Sequence, residues 1–306
     1  MKRCGRLFSI LLGAATLACG APALAEGMFG DQGKLLLTAG FSTIEGAGGG
    51  GITPWALITG YGSSESWGAN TYFTGIALRD FDFSSAGVGV GIRDRIELSF
   101  SRQMLEASAG ALDGISLSQD VIGAKLRIFG DAVYAQDSWA PQLAVGVQAK
   151  RNRGIRDGAR IGAPDLVSVT QLGASDEDGI DYYASATKIW LAQGLLVNAT
   201  LRYTRANQFG LLGFGGDRND DAAIRAEGTL AYLLRRKVAI GVEYRTRERN
   251  LSIDDESAAW DAFVAWTPNR HVSIVAAYAN LGSIAAPLTG QTADQAGAYL
   301  SAQFGF

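Results

Sequence analysis

Residues 296–306 read AGAYLSAQFGF. Ala298, Leu300, Ala302, Phe304 and Phe306 take every second position, with Gly297, Tyr299, Ser301, Gln303 and Gly305 between them. A period of two sends successive side chains to opposite faces of an extended chain. The stretch therefore predicts a strand with one apolar face, running to a terminal aromatic ring. The same unit recurs upstream. Ile96, Leu98 and Phe100 alternate with Glu97, Ser99 and Ser101, and Ile122, Ala124, Leu126 and Ile128 with Gly123, Lys125 and Arg127. Leu201 and Tyr203 alternate with Thr200, Arg202 and Thr204, and Val238, Ile240, Val242 and Tyr244 with Ala239, Gly241, Glu243 and Arg245.

A soluble sandwich also alternates, but its polar face rarely mixes Gly, Ala, Ser and charge as the second face does here. The pattern predicts an all-β fold, an antiparallel transmembrane β-barrel of about 14 strands, with 12 as the alternative. Strands are expected near 34–44, 54–62, 69–81, 84–92, 95–104, 118–129, 141–150, 180–190, 195–206, 222–234, 238–247, 258–267, 271–281 and 297–306. With a periplasmic N-terminus, alternate connections should be short. Asp94, Ala192-Gln193-Gly194, Arg235-Arg236-Lys237 and Pro268-Asn269-Arg270 supply tight turns. Residues 45–53, 105–117, 151–179, 207–221, 248–257 and 282–296 supply longer outer loops. Residues 130–140 are long for an inner turn, and the link near Ser84 is short for an outer loop.

The N-terminus predicts export. Lys2, Arg3 and Arg6 precede an apolar stretch from Leu7 to Leu17, and Ala23-Leu24-Ala25 places small residues before Glu26. This is the pattern of a cleaved signal peptide, residues 1–25, followed by a single barrel domain, residues 26–306. Cys19 after Thr16-Leu17-Ala18 loosely matches a lipoprotein signal instead. Cleavage after Ala25 leaves 281 of the 306 residues and removes both cysteines, Cys4 and Cys19. It also removes three basic residues from 27, against 30 acidic ones, so net charge falls from −3 to about −6. That balance argues against a nucleic-acid partner. No stretch after the signal approaches the roughly 20 apolar residues of a spanning helix. The expected location is the outer membrane of a Gram-negative cell, in contact with outer-membrane lipid and lipopolysaccharide.

Glu97, Lys125, Arg127, Lys150, Arg202, Glu243, Arg245 and Asp261 are the candidate lumen-lining residues. In a wet pore, their mixed charge gives a transverse field and weak selectivity. In a plugged one, the same groups pair and close the lumen. Trp67, Trp139, Trp190 and Trp266 at inner strand ends, with Tyr203 and Tyr244 near outer ends, suggest aromatic girdles. Trp55 and Trp260 are also expected near the outer ends. The leading function is a porin-like passive channel for small hydrophilic solutes. The alternatives are a non-channel barrel in envelope structure or surface interaction, binding through its 151–179 loop, and a transporter of small hydrophobic compounds. The last is suggested by Phe209-Gly210-Leu211-Leu212-Gly213-Phe214 in an outer loop. Oligomeric state is not legible.

Other motifs read blandly. Gly46-Ala47-Gly48-Gly49-Gly50-Gly51 lacks the Gly-Lys-Ser/Thr that closes a phosphate loop and reads as an outer loop. His271, the only histidine, falls at an inner turn, away from the outer rim where a lipid-facing hydrolase needs a Ser–His pair. No enzyme, cofactor or metal site is therefore expected. Asp176-Glu177-Asp178 with Asp181, and Asp217 with Asp220 and Asp221, lack full calcium-loop spacing. Arg151, Arg153, Arg156 and Arg160 gather where they could meet lipopolysaccharide phosphates.

Two resemblances add to this reading. The terminal strand ending at Phe304 and Phe306 resembles the signal by which barrel proteins address the barrel assembly machinery, which implies that machinery as a partner. Several stretches resemble an uncharacterised proteobacterial outer-membrane family, domain of unknown function 3034. They are Gly33–Thr38 and Ile44–Gly62 with Thr53-Pro54-Trp55-Ala56-Leu57, then DVIGAKLRIFGDAVY (120–134), ANQFGLLGFGGDRND (206–220) and DAFVAWTPNRHVS (261–273). The resemblance runs from about residue 33 to the end. It implies an exported outer-membrane protein and brings no activity or catalytic residue.

Overall fold

In a computed structural model, residues 34, 36–39, 41–108, 113–157, 168–286 and 293–306 are described. The expected signal peptide, residues 1–25, lies outside them, as does Arg160. Twelve strands form among the described residues. They are β1 (Trp67–Ala77), β2 (Phe81–Ile92), β3 (Ile96–Ala107), β4 (Ile115–Phe129), β5 (Gln142–Asp157) and β6 (Asp178–Trp190), then β7 (Leu195–Thr204), β8 (Ala223–Arg235), β9 (Val238–Arg245), β10 (Ala259–Trp266), β11 (Val272–Asn280) and β12 (Ala296–Gly305). Each pairs antiparallel with the next, and β12 closes on β1 from Asn70 opposite Gly305 to Ala77 opposite Ala298. Closure leaves no sheet edge to expose unpaired backbone groups to lipid.

Burial is inverted relative to a water-soluble sheet. Arg202 and Lys150 are among the largest fully buried side chains, whereas Leu201 is 58% exposed and Ile122 63%. On β3 the outward Ile96, Leu98, Phe100 and Met104 are exposed, and Glu97, Ser99, Ser101 and Gln103 are buried inside. An exposed apolar wall around a polar interior is stable only where the surroundings are themselves apolar. The fold is a transmembrane β-barrel.

The count is 12 rather than 14 because the segments expected as the first two strands, 34–44 and 54–62, lie inside the barrel. The only bridges between residues 41 and 62 are isolated ones, Ser42 with Gly48 and Gly49 with Pro54. From β1 onward the expected strands are present, with shifted ends. The link expected near Ser84 is the turn 78–80, closed by the Leu78 amide on Phe81 O (2.9 Å). Ser84 itself lies within β2, opposite Gly75 of β1 and Met104 of β3.

Short connections gather at the end that also holds Phe306, taken below as periplasmic. Arg93 and Asp94 turn β2 into β3 with φ of 51° and 48°, the left-handed pair that a two-residue hairpin demands. The long inner turn 130–141 is an ordered cover. Asp131 accepts from the Val133 and Tyr134 amides (2.8 and 2.7 Å), and Gln136 and Lys188 tie the segment to β6 through Ile189 O (2.9 Å) and Ala135 O (2.7 Å).

Candidate functional site in the barrel lumen

The lumen is filled by the chain's own N-terminal segment. Lys34 stands at the periplasmic mouth, paired with Asp94 (2.7 Å) and donating to Ile58 O (2.7 Å) and Gly60 O (3.1 Å). Residues 41–53 run inward, turn, and return through 54–62 to the same mouth. There the Tyr61 amide donates to Phe306 O (2.8 Å) just before β1 starts. The tip is Ile44-Glu45-Gly46. Ile44 O receives Ser85 Oγ and Gln103 Nε2, both at 2.6 Å, and Gly46 takes φ 91°.

Glycine makes this path possible. A Cβ on Gly49 would fall on the Thr53 carbonyl and within 2.9 Å of Trp55 N. One on Gly50 would overlap the Glu243 carboxylate. The Gly46–Gly51 run, read from sequence as an outer loop, is thus the compact turn of an interior plug. Trp55, expected at an outer strand end, is buried in the lumen and donates Nε1–H to Thr229 Oγ1 (2.9 Å).

Wall residues grip this plug at three levels. Deepest, Glu45 meets three cations: Lys150, Arg202 (3.3 Å) and Arg245 (2.6 Å). These are balanced by wall carboxylates, with Asp181 2.7 Å from Lys150 and Glu227 2.5 Å from Arg202. Burial alone would push the Glu45 carboxyl up. Arg245, Lys150 and Arg202 more than reverse this and leave it well below the ordinary carboxylate range. A depressed folded pKa stabilises above the unfolded value and is lost only as pH falls through the folded one. The contribution of Glu45 to plug retention should accordingly be flat from pH 5 to 8, measured as the difference in hydrogen-exchange protection of plug amides between the parent and Glu45→Gln.

Midway, Glu243 accepts from Gly51 N (2.6 Å), Ile52 N (2.7 Å), Thr53 Oγ1 (2.6 Å) and Thr229 Oγ1 (2.8 Å), with Asp261 opposite it across β9–β10. On another side of the wall, Glu97 accepts from the amides of Gly48 and Thr59, both at 2.8 Å. Its partner Lys125 donates to Gly48 O (2.8 Å) and Leu57 O (2.9 Å), so the pair holds both limbs.

Of the eight lumen candidates, Glu97, Lys125, Lys150, Arg202, Glu243, Arg245 and Asp261 lie inside and buried. Arg127 lies at the periplasmic mouth, bound to Asp94, to Asp131 (3.3 Å) and to Gly130 O (2.6 Å). Sequence reading missed Glu45, which it had assigned to a loop, and the wall acid Glu227, and it placed the wall acid Asp181 in an acidic loop cluster, whereas Asp181 lies on β6 facing the lumen. Both acids sit on the inward phase of their strands, Asp181 between exposed Ile180 and Tyr182, which is the signal that could have found them. It also missed a dry patch on the inner wall. Ile189, Leu196, Leu233, Phe263 and Val275 face Leu37, Phe41 and Trp55 around a cavity of about 30 Å³. Trp67, Trp266, Tyr203 and Tyr244 stand exposed on strands, Trp190 is half-buried, and Trp139 projects from the 130–141 cover. Phe304 and Phe306 are half-buried, the latter 5.7 Å from the His271 ring.

An outer loop closes the opposite end. Gln208 and Phe209 both adopt positive φ (46° and 62°), and the Phe209 ring lies 4.5 Å from the Arg245 guanidinium and 4.0 Å from that of Arg247. Phe209 O accepts from Gln119 Nε2 and Lys150 Nζ, each 3.0 Å. Lys150 and Arg245 therefore touch the plug tip and the lid together. Gln208 also bonds Asp254 Oδ2 (2.9 Å), Arg247 Nη1 (2.8 Å) and Ser283 O (2.5 Å), and its amide donates to Glu256. The acidic clusters tie loops together: Asp176 and Asp220 share Arg205 (2.6 and 2.7 Å).

Burial pushes Glu256 up to about 8 and Asp254 to about 6. The charged groups around them are Arg247, Arg245, Arg225 and Asp255. Raised folded values stabilise fully below the unfolded pKa and lose that contribution as pH rises through the folded ones. The lid should thus loosen as pH passes about 8, read as faster proteolysis within 205–216 at pH 9 than at pH 7. Equal rates would contradict it.

Known proteins place this architecture. The NanC porin superposes with a TM-score of 0.50 at 9% identity, covering 78% of this chain and 100% of the porin. The KdgM porin gives 0.46 at 9% identity over 78% and 99%. Outer membrane phospholipase A from Escherichia coli gives 0.40 at 9% identity over 77% and 92%. At such identities the likeness is one of fold, that of outer-membrane β-barrels. No curated protein matches the sequence. A family model described as "Protein of unknown function (DUF3034)" matches residues 38–303, from the root of the plug to the final strand, and the chain belongs to that family.

Proposed function

We propose that this protein is an outer-membrane channel for small hydrophilic solutes whose resting state is closed by its own N-terminal segment. The observation that carries this reading is how residues 41–62 are held. They enter and leave by one mouth, and their contacts with Glu97, Lys125, Glu243 and the Glu45 cluster are polar. Water entering behind a withdrawing segment can replace such contacts one for one, so that only the apolar packing of residues such as Phe41 and Trp55 opposes withdrawal without replacement. With the segment withdrawn, carboxylates and cations of both signs would face the path, giving weak selectivity. The porin fold of NanC agrees with this reading. His271 binds Gly305 O (3.1 Å) and lies at a periplasmic turn, so no hydrolytic role is proposed.

The completeness of the Glu45 ion-pair cluster favours a second reading, a permanently closed structural barrel. One experiment separates the two. Thr53 Oγ1 of the plug lies 2.5 Å from Thr229 Oγ1 of the wall, close enough for a Thr53→Cys, Thr229→Cys pair to form a disulfide. In planar bilayers the oxidised pair should be silent, reduction should restore gated openings, and deletion of 41–62 should leave a steady conductance. A variant lacking both 41–62 and the 205–216 lid that keeps the heat-modifiable mobility of a folded barrel, yet never conducts, would establish the structural reading instead.

A further inference from the structure

The outer rim of the barrel wall is not uniform. At the extracellular ends of β6, β7, β9, β10 and β11 the outward residues are Tyr182, Tyr203, Tyr244, Trp260 and Tyr278, each exposed. On β3–β5 the rim carries charge instead. Arg102, Asp120 and Arg151 are register partners across these three strands, one outward step above the apolar row Phe100, Ile122 and Ala149. Charge on a lipid-facing wall is costly at mid-depth and cheap only near the interface, so this row marks where head groups begin.

Its geometry suits an anion. Asp120 accepts from Arg102 Nε and Nη2 (2.7 and 2.9 Å) and from Arg153 Nε and Nη2 (2.8 and 2.5 Å). One carboxylate, its side chain 10% exposed, thus draws two guanidiniums together while they stay 60% and 45% exposed. Arg151 stands beside them, 66% exposed and 3.6 Å from Asp178. The three arginines exceed the two acids by one positive charge. Below this row the wall is dished. Ala124, Gly146 and Ala184 floor an open groove of about 680 Å³ rimmed by Leu126, Val145 and Leu201. Gly146 adds no side chain on the groove side, since its Cβ position faces the lumen and the buried Tyr183 ring. The groove reaches Val147, two outward positions below Arg151 on β5, about 13 Å along the strand.

We propose that this face binds the phosphorylated, acylated glycolipid of the outer leaflet, lipid A in chemistry. Its phosphate would lie across Arg102, Arg153 and Arg151, and an acyl chain would fill the groove. Planar guanidiniums match phosphate oxygens in bidentate pairs, and the groove supplies an apolar slot in line below. The inference rests on the outer-membrane placement in the proposed function, but its readout is lipid binding and does not depend on conductance.

The test is native mass spectrometry of the purified full chain in detergent with bisphosphorylated lipid A, dephosphorylated lipid A or phosphatidylglycerol. The bisphosphorylated form should be retained at least about tenfold better than the other two, and R102Q/R153Q should lose that margin. Equal retention of the three lipids overturns the proposal, as does an unchanged margin in R102Q/R153Q. Should that double variant not fold, R151Q decides in the same way, since its acidic neighbour is exposed: a reduced margin supports the site and an unchanged one overturns it.

Discussion

Glu45→Lys will expel the plug and leave the barrel standing. In the folded chain Glu45 is fully buried among Lys150, Arg202 and Arg245. Asp181 and Glu227 alone cannot balance these three cations, and the substitution adds a fourth at the point of highest positive potential. Breaking a buried ion pair by removing one partner costs about 3–5 kcal/mol. Reversing its sign costs more, so plug release should rise by at least about a hundredfold. The wall keeps all its ladders, because every strand lies outside 41–62. The readout is the rate at which a membrane-impermeant maleimide modifies Thr53→Cys, a position buried in the parent, in a chain without Cys4 and Cys19. An unchanged rate would remove Glu45 as the lock. Because Lys150 and Arg245 also hold Phe209, the same variant should speed proteolysis of the 205–216 lid. Unaltered lid cleavage beside a released plug would show that the two closures act independently.

Gly49→Val should release the plug by another route. Gly49 has no positive φ, so the penalty arises from space alone. A Cβ there meets the backbone of Thr53, Pro54 and Trp55, none of which can rotate away as a side-chain tip could. The turn must open, and Glu243 then loses the Gly51 and Ile52 amides. Overpacking costs about 1–3 kcal/mol and a buried carboxylate stripped of donors adds a similar amount. Thr53→Cys labelling should again accelerate, by roughly tenfold or more. Unlike Glu45→Lys, this change alters no charge, so its effect should be insensitive to salt. A labelling rate matching the parent would mean that the glycines are not needed for the plug's path.

Much of the wall is legible in the sequence. A closed barrel must alternate on every strand, and residues 96–101 of β3, 197–204 of β7, β9 and β12 do so, so the order of residues alone assigns their faces. Residues 34–62 mislead because their signals are local. Lys34–Ile44 carries enough apolar residues to pass for a strand, and a glycine run is punctuation wherever it occurs. Nothing in the local pattern distinguishes a loop outside the barrel from a turn within it. That depends on partners such as Glu243 and Gln303, 192 and 261 residues away. The lumen charges are recognisable by phase, but Glu45 is not, since it lies on no strand. Nor is the dry inner patch, because Leu196 and Phe263 are apolar on the phase where polarity is expected.

The carbonyl of Phe306 receives the amides of both Tyr61 and Ala69. The seat of residues 41–62 is therefore built by a residue that follows the last strand, β12. An emerging polypeptide holds residues 41–62 without a berth until β12 has emerged and zips to β1. Contacts of such sequence separation are the slowest to form. During biogenesis the barrel should accordingly pass through a vacant, water-filled form, with interior docking as its last and slowest event.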